Sequence, residues 1–424
     1  MSDAFDVHKD PILGEEVWLA RTSAGMPLRV FPTDRFRETA AMVVFRYGAT
    51  DLGFLIGGDR HESPLGTAHY LEHKLFEDEA IAVFDRFARR GAQVNAMTGF
   101  TQTSYYFTAT DQVHENMQDL LHLVANAHIT EENVEKERGI IDQEIRMYED
   151  SPDYRLFFDF VGNLYEEHPV RHPVGGTTDS IQEVTAEHLL DCHRAFYTAG
   201  NAALGVAGPV DPHAILELAE ASHLLAGEPP TSIWPKDSGP AFRSRSETRM
   251  EVGRDRVMVG FKDRKLEADA EARWRRELVT RVLLDRWFSA SSELREELRR
   301  RGLVDDSLSA GYVADFSFGF VVVSCETDDP DGVAEVLRDL MLGDVEIDED
   351  HLERVRRKLL GRYVRDFEAV SNCAFGQARE ALEGIDPFCA VERMTALSAA
   401  DVEQRRQELF REDSFATAVM HKKS

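Results

Sequence analysis

Three residues within five positions carry the strongest chemistry in the chain: His69, Glu72 and His73, in the stretch "GTAHYLEHKLFE" over 66–77. Read as a helix starting near Gly66 and Thr67, the stretch puts His69, Glu72, His73 and Phe76 on one face. Ala68, Leu71 and Leu75 form a separate apolar face suited to packing on a sheet. Imidazoles at i and i+4 lie about 6 Å apart on one side, close enough to share one zinc ion through bonds of about 2.0–2.1 Å. Glu72 falls between them, aimed at the ion's open position instead of ligating it. A carboxylate there can take a proton from a water whose pKa the metal lowers to about 7.

The word H-x-x-E-H arises by chance in about one chain in twenty of this composition, so it needs a third ligand. "NVEKERGIIDQEIRMYED" (133–150) offers one. As a helix it places Glu137, Ile140, Ile141, Glu144 and Tyr148 on a single stripe. Carboxylates on a core-facing stripe are costly to bury unless a cation or donors compensate them. With the histidine pair upstream, Glu144 is assigned as the third ligand. Glu137 becomes its companion, holding His69 or His73 in the right tautomer. The alternative for this stretch is a helix turned so that both acids meet water. "SPD" (151–153) then stops the helix.

The elements that must position these residues are legible as alternating β-rich and helical runs. "ETAAMVVFRYG" (38–48) and "QTSYYFTAT" (102–110) read as strands, followed by helices over 111–128 and 132–149. Later, "RVMVGFK" (256–262) and "FGFVVVSCET" (318–327) bracket a helix over 271–288, and another helix covers 348–370. Between the two sets lies "AGEPPTSIWPKDSGPAFRSRSETRM" (226–250), whose prolines and small polar residues cannot sustain a helix. The predicted fold class is α+β, two similar domains, each a mostly antiparallel sheet covered by helices. The expected division is an N-terminal zinc-bearing domain over 1–228, a linker over 229–245 and a homologous domain without zinc over 246–424.

Composition bounds the partners. The 77 acidic and 49 basic residues give a net charge of -28, which repels nucleic acid and anionic lipid. Neither nucleic acid nor a membrane is therefore expected as a partner. The basic runs "RWRRELVTR" (273–281) and "REELRRRG" (295–302) alternate with acids and leucines, as solvated helix faces do. No run approaches the roughly 18 consecutive apolar residues of a spanning helix. The opening "MSDAFDVHKDPILGEE" is polar and acidic, so no secretory leader is expected. Four cysteines (Cys192, Cys325, Cys373, Cys389) without CxxC spacing suit reduced thiols and a cytoplasmic location. Cys192 and His193 adjoin each other but point apart on a helix, so they form no nucleophile pair. The remaining histidines show no ligand spacing to the site.

With both glutamates in place, the sequence resembles the pitrilysin/insulinase family of inverted-zinc metallopeptidases, in its short bacterial two-domain, mitochondrial-processing-peptidase-like form. That family pairs an H-x-x-E-H helix with E-x6-E some 70 residues later; here Glu137 and Glu144 stand in that relation to His73. "YGATDLGF" (47–54), "RRGAQVNAMTGFTQTSYYF" (89–107), "MYEDSPDYRLFFDFVGNLYEEHPVRHPVGGTTDSI" (147–181) and "FYTAGNAALGVAGPVDP" (196–212) continue the likeness in order. It covers about 40–215 closely and the second half loosely. The resemblance implies one Zn2+ per chain on His69, His73 and Glu144, with Glu72 as general base. It further implies two chains closing a chamber around a peptide. The peptide would add as a strand at "GAQVNAMTGFT" (91–101), with Asn95, Ala96 and Thr98 as substrate-binding positions. Without that likeness, 92–98 reads as a plain strand.

One departure from the family matters. Its active enclosures add an arginine and a tyrosine, seven apart, from a later domain, holding the peptide and the carbonyl oxygen as charge develops. The corresponding run here, "ELREELRRRGLVDDSLSAGY" (293–312), has Asp305 and Asp306 where the tyrosine belongs, and Tyr312 lies too far on. The expectation is a zinc endopeptidase subunit that hydrolyses peptides or unfolded segments as a heterodimer with a paralogous Arg/Tyr-bearing chain. A homodimer is the rival arrangement. A catalytically lapsed structural or binding subunit is the alternative function; such subunits show eroded ligands, whereas every zinc-site residue is present here.

Overall fold

The computed structural model describes residues 4–10, 12–77 and 83–423; residues 1–3 and 11 of the opening acidic stretch lie outside the described residues. Two compact units are built from interleaved segments. The first runs to Ile145 and takes in Pro173–Ile233 and Gly361–Ala390; the second comprises Arg146–His172, Trp234–Leu360 and the chain from Val391 on. No single cut within 229–245 therefore separates the two cores.

The first unit holds strands β1 (Asp6–Lys9), β2 (Glu16–Arg21), β3 (Pro27–Pro32), β4 (Thr39–Phe45), β5 (Gly53–Ile56), β6 (Asp59–Glu62), β7 (Gln93–Thr98), β8 (Thr103–Ala109), β9 (Ala202–Gly208) and β10 (Thr231–Ile233). Seven of them form one sheet in the order β1-β2-β3-β9-β4-β8-β7; β10, β5 and β6 form a small second sheet. All neighbours in the large sheet are antiparallel except β3 and β9. The second unit holds β11 (Arg245–Met250), β12 (Arg256–Lys262), β13 (Ser309–Ala314), β14 (Gly319–Glu326) and β15 (Phe415–Lys422), ordered β11-β15-β12-β14-β13. Here too the one parallel neighbour pair joins the first and last strands, β11 and β15. Counting only β3, β4, β7, β8 and β9, both sheets have the order first-fifth-second-fourth-third. The expected repeat is thus a repeat of topology.

The apolar run of β4 is buried along its whole length because both faces of the sheet are covered. Ala41, Val43 and Phe45 join the larger core with Tyr70, Leu71 and Leu120. Ala40, Met42 and Val44 face the helix Val370–Glu383 through Ala374, Ala378 and Ala381. That helix comes so close that a Cβ on Gly205 of β9 would sit 2.2 Å from the Ala374 carbonyl oxygen, so only glycine fits there. In the second unit, Val257, Val259 and Phe261 of β12 face the core while Gly260 lies against Phe160. Each sheet thus recruits a helix from a distant part of the sequence, which is why the units interleave.

The first five helices in chain order are α1 (Thr67–Leu75), α2 (Val83–Arg89), α3 (Val113–Ala125), α4 (Glu131–Glu149) and α5 (Pro152–Leu164), of which α1 and α4 carry the site. The expected stripe on α4 is corrected in part. Its buried residues are Val134, Glu137, Ile141 and Ile145, whereas Ile140 and Tyr148 are 53% and 42% exposed. At 100° per residue the stripe drifts, and the buried face follows the i, i+3, i+7, i+11 positions from Val134. The chain enters α5 within "SPD", with Ser151 as its N-cap and Pro152 in its first turn, where a missing N–H costs nothing. Within 226–250 the structure forms β10 and all of β11, with the prolines outside both strands.

Candidate metal centre

Helix α1 starts abruptly because Gly66 adopts φ 88°, and a Cβ there would meet the Gly175 carbonyl oxygen at 2.4 Å. The 175–176 turn locks onto it: Gly176 has φ +77°, and the Ser180 hydroxyl donates to the Leu65 carbonyl at 2.9 Å. Ala68, Leu71 and Leu75 are buried, as their spacing predicted. Two more residues of α1 reach across to the first turn of α4. Tyr70 donates its hydroxyl to the Val134 carbonyl, and the fully buried Lys74 ammonium donates to the Asn133 carbonyl at 3.0 Å. Lys74 also pairs with Glu77 at 2.5 Å. Lys74 belongs to the repeat 67, 70, 71, 74 of buried positions on α1, a pattern that could have identified it. A lysine there needs a fixed acceptor, because an unpaired buried charge is costly.

These ties bring residues 71 positions apart into one cluster. His69 Nε2 and His73 Nε2 lie 3.8 and 3.3 Å from Glu144 Oε2. One ligand atom from each of the three falls within 4.8 Å of the others, the one such group of His, Cys, Asp or Glu among the described residues. His73 Nδ1 lies 2.9 Å from Glu137 Oε1, so Glu137 pairs with His73 and not with His69. Among the described residues, the buried Nδ1 of His69 has no hydrogen-bond partner.

The electrostatics divide the imidazoles. Burial, and then the neighbouring His73, lower His69 to about 4. Burial alone would lower His73 too, but hydrogen bonds to Glu137 and Glu144 and the fields of Glu144 and Glu72 outweigh it and raise His73 to about 9. The hydrogen bond with His73 lowers both Glu137 and Glu144. Burial raises Glu72 against the opposing pull of its hydrogen bond from Thr98. Two nitrogens facing one carboxylate oxygen, with a second carboxylate orienting a ring from behind, is a donor set that fits Zn2+. Its positive charge would take over the role of the proton now shared at His73.

The substrate-binding positions implied by the family likeness lie on β7, which among the described residues is an edge strand paired with β8 alone. Asn95 is exposed, and its side-chain oxygen accepts the Ala96 amide at 2.9 Å. Ala96 is half-buried against the core. The Thr98 hydroxyl instead donates to Glu72 Oε2, a contact the sequence did not suggest. In the second unit, three residues of "ELREELRRRGLVDDSLSAGY" have partners within that unit. Arg299 pairs with Asp306 at 3.0 Å, Arg295 donates to the Phe288 carbonyl, and the Tyr312 hydroxyl donates to Asp263 at 2.6 Å. Among the described residues, no helix is long and apolar enough to cross a membrane.

The doubled sheet and the cluster of His69, His73 and Glu144 can be set beside known proteins. Residues 53–178 match the insulinase family (peptidase family M16), and residues 183–359 match the peptidase M16 inactive domain. The chain belongs to the insulinase family, in its short two-domain form. It is 33% identical to the uncharacterized zinc protease YmfH of Bacillus subtilis, over 97% of this chain and 98% of that one. The crystal structure of an M16-like peptidase from Alicyclobacillus acidocaldarius superposes with a TM-score of 0.92 at 33% identity, covering 97% and 99% of the two chains. Pitrilysin shares the fold, with a TM-score of 0.75 at 15% identity, over 99% of this chain and 46% of pitrilysin.

Proposed function

We propose that this chain is the zinc-bearing subunit of a metalloendopeptidase that hydrolyses peptides or unfolded segments inside an enclosed chamber. The observation that carries the reading is the convergence of His69, His73 and Glu144, with Glu137 hydrogen-bonded behind His73. When bound, zinc would polarise the scissile carbonyl and acidify a water. His69, His73 and Glu144 would hold the ion, and Glu137 would keep His73 Nδ1 protonated so that Nε2 presents its lone pair. Glu72, desolvated and therefore more basic than an exposed carboxylate, would accept the water's proton and return it to the leaving amine. The peptide would add to the open edge of β7 at Asn95 and Ala96. The zinc-bearing role belongs to the first unit and a non-zinc role to the second.

The absence of a free Arg/Tyr pair in 293–312 supports a division of labour, with a paralogous chain supplying that pair in a heterodimer; a homodimer is the competing assembly. Four free cysteines, three of them buried, agree with a cytoplasmic setting. The match of 183–359 to an inactive domain favours a second reading, a lapsed structural subunit. The intact ligand set weighs against it, because no stability argument requires that group of polar residues.

The test is metal analysis followed by assay. The purified chain should carry one zinc, and with an Arg/Tyr-bearing paralogue it should cleave a quenched peptide library. Glu72→Gln should keep the zinc and lose cleavage by roughly 10²–10⁴-fold. Absence of zinc, or wild-type cleavage by Glu72→Gln, refutes the assignment; full activity of the isolated chain refutes only the division of labour.

A further inference from the structure

The Thr98 hydroxyl has one proton to donate, and it donates it to Glu72 Oε2. Thr98 is the last residue of β7, paired with Thr103 of β8, while Glu72 lies in the middle of α1. Its backbone amide acts on the same carboxylate as its hydroxyl. The bond therefore joins the edge strand to the helix that carries both histidines. Both ends are sheltered: Glu72 and Thr98 are each only partly exposed. A charge-assisted bond in such surroundings is stronger than a neutral one and fixes the direction of the acceptor's lone pairs. A glutamate has three rotatable side-chain bonds, so an unrestrained Glu72 would spend much of its time turned away from a proton at the metal's open position.

From this geometry we propose that Thr98 is a positioning residue: it clamps the Glu72 carboxylate in the orientation proton transfer needs and does not contact the peptide. The inference rests on the reading of Glu72 as general base. It departs from the substrate-contact role that the family likeness implies for this position. The two assignments differ in what they would move. A clamp acts on the chemical step, whereas a substrate contact acts on binding.

Two measurements test it, one of them independent of catalysis. In a double-mutant cycle on thermal midpoints, Thr98→Val and Glu72→Ala should be non-additive, because each removes one end of the same bond, whereas glutamine at 72 would keep an accepting oxygen. Additive shifts overturn the pairing, whatever the chain's activity. In the zinc-loaded heterodimer, Thr98→Val should lower kcat by roughly ten- to a hundredfold, the cost of a misaimed catalytic group, with KM unchanged. Thr98→Ser, which keeps the hydroxyl, should restore most of the loss. A labelled peptide that the wild type cleaves should bind zinc-loaded Glu72→Gln equally well with and without Thr98→Val. An unchanged kcat, a rise confined to KM, or weaker peptide binding overturns the proposal. Thr98→Ala gives the same reading should valine disturb β7. If the wild type cleaves nothing, or Glu72→Gln cleaves normally, the functional assignment fails, and the cycle alone decides whether the clamp exists.

Discussion

At the scale of single residues, the centre is a set of carboxylates arranged around one proton. His73, raised to about 9, holds that proton at neutral pH, while His69, lowered to about 4, is neutral. Because the two rings are close neighbours, the proton belongs to the pair. A metal bound at both Nε2 atoms must displace it. Between pH 5 and 9 the apparent zinc affinity should therefore rise by about tenfold per pH unit and level off above 9. Glu137→Gln removes the carboxylate that favours the charged ring. It should lower zinc affinity at pH 8 by about 10–100-fold and shift the levelling point to lower pH. Chelator competition across pH checks both, and a pH-independent affinity would contradict the proton count. The spacing of His69 and His73 was readable locally, since i and i+4 share a helix face whatever surrounds it. The choice of His73 over His69 as the partner of Glu137 was not, because it depends on how α4 lies across α1.

At the scale of elements, α1 is set in place by its ends. Gly66 occupies the left-handed region, and the space for a Cβ is filled by the Gly175 carbonyl. Gly66→Ala must distort that turn, at a cost of about 1–3 kcal/mol for the backbone alone. The expected outcome is a lower thermal midpoint for the metal-free protein and weaker zinc binding, since His69 lies one turn along and next to Gly175. Gly91→Ala is a control: it too has positive φ (+67°), but among the described residues nothing lies within 4 Å of its Cβ position. Equal zinc affinity in the two variants would remove the 66–175 contact from the site's support. The strands around the site were visible as β-branched and aromatic runs, and β12 matches its expected span, Arg256–Lys262. Helix α5 was hidden because "SPD" reads as a stop, although a proline is equally at home in a helix's first turn.

At the scale of the whole molecule, the two units answer the same topology with different chemistry. Where the first gathers His69, His73 and Glu144 between α1 and α4, the second buries Asp263 against Arg276 at 2.6 Å, Arg405 at 2.5 Å and the Tyr312 hydroxyl at 2.6 Å. Burial alone would raise Asp263, but Arg405, Arg276 and Tyr312 outweigh it and hold its carboxyl below the usual range. A lowered folded pKa contributes stability that is present above the unfolded value of about 3.9 and is lost as pH falls through the folded one. Asp263→Asn should destabilise the second unit by about 3–5 kcal/mol at pH 7, because two buried guanidiniums lose their counter-charge. Its deficit relative to wild type should shrink as pH falls below about 4. Urea unfolding at pH 7, 4 and 3 measures both, and a deficit constant across that range would contradict the account.

The sequence by itself determined what local periodicity can encode: the helix face with His69, Glu72 and His73, the strands β4, β8, β12 and β14, and a doubled α+β pattern. Together with the spacing to Glu137 and Glu144 it also supported the family likeness. Only the tertiary structure decided which groups meet. The distance between α1 and α4 is set by Tyr70 and Lys74 reaching main-chain carbonyls, and the bond from Thr98 to Glu72 by the register of β7 on β8. The exchange of helices between units has the same origin. A side chain's face on its own helix follows from backbone geometry, but its partner across an interface follows from packing, which no single segment contains.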